Sequence, residues 1–151
     1  MIPLFCILHL MKNIKITGII LTILVIGVIL FLTLMSAENT RNLSESVRIW
    51  LKDHGVEMTS KQLRSDIHIF EYFPLGFALC WWIGIEKAFV IGTLLGLSDE
   101  TLKIFLPTRH FSGIDFVKDA AGVALGAASF LLIAAIINKV TGKNNKSTAT
   151  K

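Results

Sequence analysis

Twenty consecutive residues, Ile16 to Met35, carry no charge. At a rise of about 1.5 Å per residue, a helix of that length reaches across the hydrocarbon of a bilayer. A cleaved secretory signal has an apolar region of only about 7–15 residues before its small-residue cut site. This run is longer, and it exits through Met35-Ser36-Ala37, a poor match to such a site. It is read as an uncleaved first transmembrane helix. Met11 with Lys12 and Lys15 resembles a natural start with a basic flank, so translation from Met1 or from Met11 stays open and His9 is given no role.

Three further apolar stretches follow, giving spans at about 16–35, 67–85, 88–106 and 116–137. The second is interrupted near its start by His68 and Glu71, and Trp81 and Trp82 near its end suit an interface. Glu86 and Lys87 are read as a tight turn. The third is apolar up to Leu97, then carries Asp99, Glu100 and Lys103, and Pro107 ends it. Arg109 to Gly113 is a short loop, and the fourth begins near Asp115. Composition agrees: 17% of residues are charged, against about a quarter in soluble domains. The expected fold is all-α and polytopic, one membrane domain over residues 1–137 with about four transmembrane helices. The polar stretch 138–151 reads as a disordered cytoplasmic tail. The net charge of +4 sits largely in lysine-bearing tails, which excludes a nucleic-acid face and fits contact with anionic headgroups. Cys6 and Cys80 offer neither a disulfide framework nor a metal spacing.

Between the first two spans lie about thirty polar residues, 36–65. Leu43, Val47, Trp50 and Leu51 fall on one helical face there, with Ser44 as N-cap and Gly55 as stop. The pattern fits an amphipathic helix on the membrane surface in the first outer loop, and equally a helix packed on the protein itself.

With four spans, parity puts residues 36–65 and the loop 107–113 on the same side. Arg64, His68, Glu71, Asp99, Glu100, Arg109, Asp115 and Asp119 then share one membrane face whichever way the chain inserts. Lys12, Lys15, Lys87, Lys139, Lys143, Lys146 and Lys151 flank the other face. By the positive-inside bias both termini are cytoplasmic and the charged cluster faces outward.

Helical spacing sorts these groups into stripes. Arg64, His68, Glu71 and Leu75 form one, with Tyr72 beside it; Gly92, Gly96, Asp99 and Lys103 form a second, with Glu100 adjacent. Asp115, Asp119, Gly122 and Gly126 form a third. Glycine spacing of this kind lets helices approach closely, so the pattern predicts an inward polar pocket beneath the Arg109 loop.

Three readings compete. The groups form a self-satisfied structural ion-pair network, Arg64 and Arg109 with Glu71, Asp99 and Asp115. Alternatively they recognise, or act chemically on, a phosphorylated or carboxylated headgroup, with Arg109 as a bidentate clamp. His68 with Glu71 or Glu100 would then supply acid–base capacity, which leaves enzyme or binding protein open. The third is a divalent-ion site from His68, Glu71, Asp99 and Asp115. No zinc signature supports it, so no metal and no cofactor is expected. Catalytic candidates are His68, Glu71, Asp99 and Glu100; the ligand-binding set adds Arg64, Tyr72, Lys103, Arg109, Asp115 and Asp119.

At these residues the chain resembles the VanZ-like family, bacterial multi-pass membrane proteins named for a teicoplanin-resistance factor. The likeness runs from about Leu63 to Gly126: Arg64, His68, Glu71 and Tyr72 leading into Leu75-Gly76, then Asp99-Glu100, then Phe105, Pro107 and Arg109, then Asp115, Asp119, Gly122 and Gly126. Lys103 stands where the family often has glutamine, and Thr108 where glycine usually follows the proline. The resemblance implies a cell-envelope role in the cytoplasmic membrane, with low-level glycopeptide or envelope-stress resistance. The implied partners are the lipid bilayer and a lipid-linked cell-wall precursor or a glycopeptide or lipopeptide drug.

Overall fold

A computed structural model describes residues 4–107 and 109–148, with side chains over 15–36, 38–107 and 109–139. It contains α1 (Leu4–Leu34), α2 (Ala37–Asp53), α3 (Ser60–Ile83), α4 (Ile85–Lys103) and α5 (Gly113–Thr148), and no strand among the described residues. The all-helical expectation holds. Two helices contain stretches long and apolar enough to cross a membrane, Lys15–Leu34 and Gly113–Lys139.

Local chemistry explains several boundaries and moves some of the expected ones. The amphipathic helix in the first loop is longer than expected: its N-cap is Ser36, whose hydroxyl accepts from Asn39 N–H. Ser44 lies inside it, buried, with its hydroxyl turned back to Arg41 O. Gly55 does stop the helix. Its φ of 83° admits glycine readily, and bonds from Gly55 N–H to Lys52 O and Val56 N–H to Leu51 O close a Schellman cap. Thr59 and Gln62 then open α3 with a reciprocal capping box.

The turn expected at Glu86-Lys87 falls earlier, at Gly84 alone. Gly84 joins α3 to α4 at φ 82°, ψ 166°, a backbone region essentially reserved for glycine. Glu86 thereby enters the first turn of α4, where an acid favours the helix dipole. At the other end Ser112 caps α5 through Asp115 N–H. From Asn138 to Thr148 the chain continues α5 where composition suggests disorder. Those residues follow a formed helix, and propagation is far easier than nucleation.

α3 is the central helix, packed on α1, α4 and α5 and touched by α2. Its closest neighbour is α5, and glycine makes the approach possible. A Cβ on Gly126 would strike the Phe73 carbonyl and lie 2.8 Å from Phe77 N; one on Gly122 would lie 2.6 Å from Ile69 O. Gly92 and Gly96 of α4 give way in the same manner to Val123 and Asp119 of α5. Tyr72, Leu75, Leu79, Ala88, Val123 and Ala127 fill the core between these helices. Trp82 points inward as well: its indole N–H donates to Thr22 Oγ1 of α1 at 3.0 Å. Trp81 instead packs on the rings of Phe77 and Phe130.

Candidate functional site

The charged ends of α3, α4 and α5 meet at one end of the bundle, beneath the loop that joins α4 to α5. Lys103 is the buried cation there. It pairs with Glu100 and, at 3.3 Å, with Asp99, both within reach because residues three and four apart share a helix face. Asp99 Oδ1 also meets the Thr33 hydroxyl of α1. Glu100 is 0% exposed, and its second oxygen accepts the backbone N–H of Ser112 at 2.9 Å. That bond ties the loop to the helix beneath it.

His68 of α3 sits among carboxylates. Nδ1 lies 2.9 Å from Asp119 Oδ1 and 3.9 Å from Glu71, and Nε2 lies 3.9 Å from Asp115. Asp119 is 0% exposed, and its Oδ2 has no hydrogen-bond partner among the described residues. The hydroxyl of Tyr72, 1% exposed, is likewise unpartnered.

Above this layer opens a cavity of about 950 Å³. His68, Glu71, Asp99, Lys103 and Asp115 reach its wall from the bundle, while Arg41, Leu43, Ser44 and Val47 close it from α2. Tyr72, Glu100 and Asp119 do not line it; they form the layer beneath.

The ion pairs differ from those expected. Arg64 lines the cavity and makes no direct ion pair among the described residues, although its charge acts on Glu45. Arg109 Nη2 donates to Leu32 O, Met35 O and the Thr40 hydroxyl, at 3.3, 2.9 and 2.6 Å. The reason is geometric: the last carbonyls of α1 lack helical partners, and the loop delivers a planar multiple donor to them. The clamp role expected of Arg109 is thus partly occupied by holding α1, while Arg41 and Arg64 reach the cavity wall without a direct ion pair among the described residues. Among the described residues the divalent-ion set read from sequence, His68, Glu71, Asp99 and Asp115, does not bring one ligand atom from each together, although His68 lies 3.9 Å from both Glu71 and Asp115. His68, Glu100 and Asp119 do come together, with ligand atoms all within 4.8 Å of one another.

Sequence reading missed Thr33, Thr40 and Ser112, because lone hydroxyls in or beside apolar runs carry no spacing signal. It also missed the anchor of α2. Glu45 takes Arg48 Nε on both oxygens at 3.0 Å and the Ser60 hydroxyl at 2.6 Å, linking α2 to the start of α3. Hydrogen bonds from Arg48, then from Ser60, pull the Glu45 carboxyl from 4.5 down to about 2, so this link persists through the neutral and mildly acid range.

An all-helical bundle whose buried polar cluster sits under a half-open cavity, with a wide apolar exterior, defines the class. The VanZ/LLP1 family model matches residues 18–134, most of the chain, and the chain belongs to that family. No curated protein and no solved structure matches it.

Proposed function

We propose that this is a multi-pass protein of the bacterial cytoplasmic membrane in which α1, α3, α4 and α5 all cross the bilayer. Both termini are then cytoplasmic and the cavity opens outward. Support for α3 and α4 as spans comes from their outer faces: Phe70 and Phe73 on one, and Phe89, Val90, Ile91 and Leu94 on the other, are exposed. So wide an apolar exterior is stable where lipid covers it. Arg109 also brings the end of α1 and the α4–α5 loop together, in keeping with parity.

In that setting the cavity engages an anionic amphiphile at the outer leaflet, a lipid-linked cell-wall precursor or a teicoplanin-type drug. This contributes to glycopeptide resistance in the way the family's namesake suggests. The observation that carries the reading is the cavity wall itself. Arg64, Arg41 and Lys61, none paired with a carboxylate among the described residues, stand there beside Leu32, Leu63 and Ile67. Cations held in no direct ion pair, beside apolar side chains, suit a charged headgroup on a hydrophobic tail. Arg64→Ala should weaken protection of a host against teicoplanin about tenfold, the scale of one charge-assisted contact, at unchanged membrane abundance. Unaltered resistance in Arg64→Ala, Glu71→Ala and Asp99→Ala would remove the cavity from the function.

One observation favours an enzymatic variant. A buried carboxylate at His68 Nδ1 fixes the ring and leaves Nε2 beside the cavity, the orientation a general base uses on a headgroup.

A further inference from the structure

Glu100 and Asp119 are fully buried beneath the cavity, and Asp99 and Lys103 are buried in its wall. Among the described residues Lys103 is shared by Asp99 and Glu100, and the ion-pair partner of Asp119 is the His68 imidazole. Buried carboxylates thus outnumber buried ammonium groups here, an excess that is costly at such depth and that a cation would offset.

Geometry locates where such a cation fits. His68 from α3, Glu100 from α4 and Asp119 from α5 present one imidazole nitrogen and two carboxylate groups within 4.8 Å of one another. Bonds of about 2.1 Å place ligand atoms at most about 4.2 Å apart, so binding needs only a small inward adjustment. Glu100 already accepts from Lys103 and Ser112, yet a carboxylate has about four acceptor positions and keeps capacity.

Two unpartnered atoms point the same way, one on a ligand residue and one on a neighbour outside the set. Asp119 Oδ2 is fully buried and accepts nothing among the described residues, and the Tyr72 hydroxyl is buried and unpartnered. Both lie beside Gly96: a Cβ there would be 3.5 Å from the Tyr72 ring and 3.6 Å from Asp119 Oδ2. A buried carboxylate oxygen with open lone pairs would serve as a ligand atom to a cation, and a buried phenol hydroxyl can hydrogen-bond to a group held beside it.

We infer that His68, Glu100 and Asp119 form a divalent transition-metal site at the floor of the cavity. One nitrogen with carboxylate oxygens suits Zn²⁺ or Mn²⁺ better than an all-oxygen ion such as Ca²⁺. The site is separate from the drug-binding reading, since it is measured without any drug. At Nδ1 it excludes the enzymatic variant above, because that nitrogen either ligates an ion or donates to Asp119.

The full-length protein, purified in detergent and stripped with a chelator, is titrated with Zn²⁺ and with Mn²⁺ while bound metal and melting temperature are followed. The wild type should take up about one ion per chain of at least one of the two and melt higher with it. His68→Gln and Asp119→Asn should bind at least about tenfold more weakly. Asp66→Asn, which removes only the pair with Lys118, should bind as the wild type does. A wild type that takes up neither ion overturns the site, whether or not the variants fold. So does uptake that His68→Gln and Asp119→Asn leave unchanged, which would mark surface binding only.

Discussion

Gly126→Val should abolish accumulation of the folded protein. The position lies where α5 touches the backbone of α3, and even a single added methyl group would meet the Phe73 carbonyl, Phe73 C at 2.9 Å and Phe77 N at 2.8 Å. Those atoms belong to a helix interior and have no rotamer by which to move aside. The two helices must separate, opening the layer of Tyr72, Leu75 and Val123. Overpacking of a core costs about 1–3 kcal/mol where side chains can give; here backbone must give, so Gly126→Ala is expected at about 3 kcal/mol and the valine above it. Gly27 is the matched control, since a Cβ there meets nothing within 4 Å. Gly27→Ala should melt at or above the wild-type temperature, because alanine is the better helix former. Melting in detergent reads both, and equal stability of Gly126→Ala and wild type would mean that α3 and α5 are not packed this way.

This contact was legible in part. The spacing of Gly122 and Gly126, and of Gly92 and Gly96, announced close helix approach, and the stripes of charge continuing from them did gather at one end. Which helix each glycine faces was not legible: Gly126 serves α3, not α4, a matter of rotation about the axis that a repeat of four does not specify. The pairing of charges was harder still. Lys103 satisfies Asp99 and Glu100 on its own helix, whereas sequence reasoning favoured the stronger donors Arg64 and Arg109. Arg109 is drawn to Leu32 O, left without a helical partner because α1 ends at Leu34, and to Met35 O just beyond that end. The loop caps shifted for a similar reason. Ser36 and Ser44 are both plausible N-caps by residue type, and only the entry of the chain from α1 chooses between them.

Lys103→Met should be the most damaging substitution at the site. It keeps the length and apolar stem of the side chain but removes the one ammonium that Asp99 and Glu100 share. Breaking a buried pair from one side costs about 3–5 kcal/mol, because the partner charge stays behind without compensation. Two carboxylates remain here, so the cost should reach the upper part of that range. Adding Glu100→Gln to Lys103→Met should recover a measurable part of the lost melting temperature, since an amide removes one stranded charge and still accepts from Ser112 N–H. A double variant less stable than Lys103→Met would show that Glu100 owes its place to Ser112 or to another cation, not to Lys103.

α2 and the α4–α5 loop lie over the same end of the bundle, with the α3–α4 turn at the opposite end, and the proposed insertion turns the first of these ends outward. Single cysteines at Trp50, Ser112 and Glu86, introduced in a background lacking Cys6 and Cys80, are treated in intact cells with a membrane-impermeant thiol reagent. The account predicts labelling at positions 50 and 112 and protection at 86 until the membrane is opened. Labelling of 50 and 112 from opposite sides, or of 86 together with 112, would contradict it.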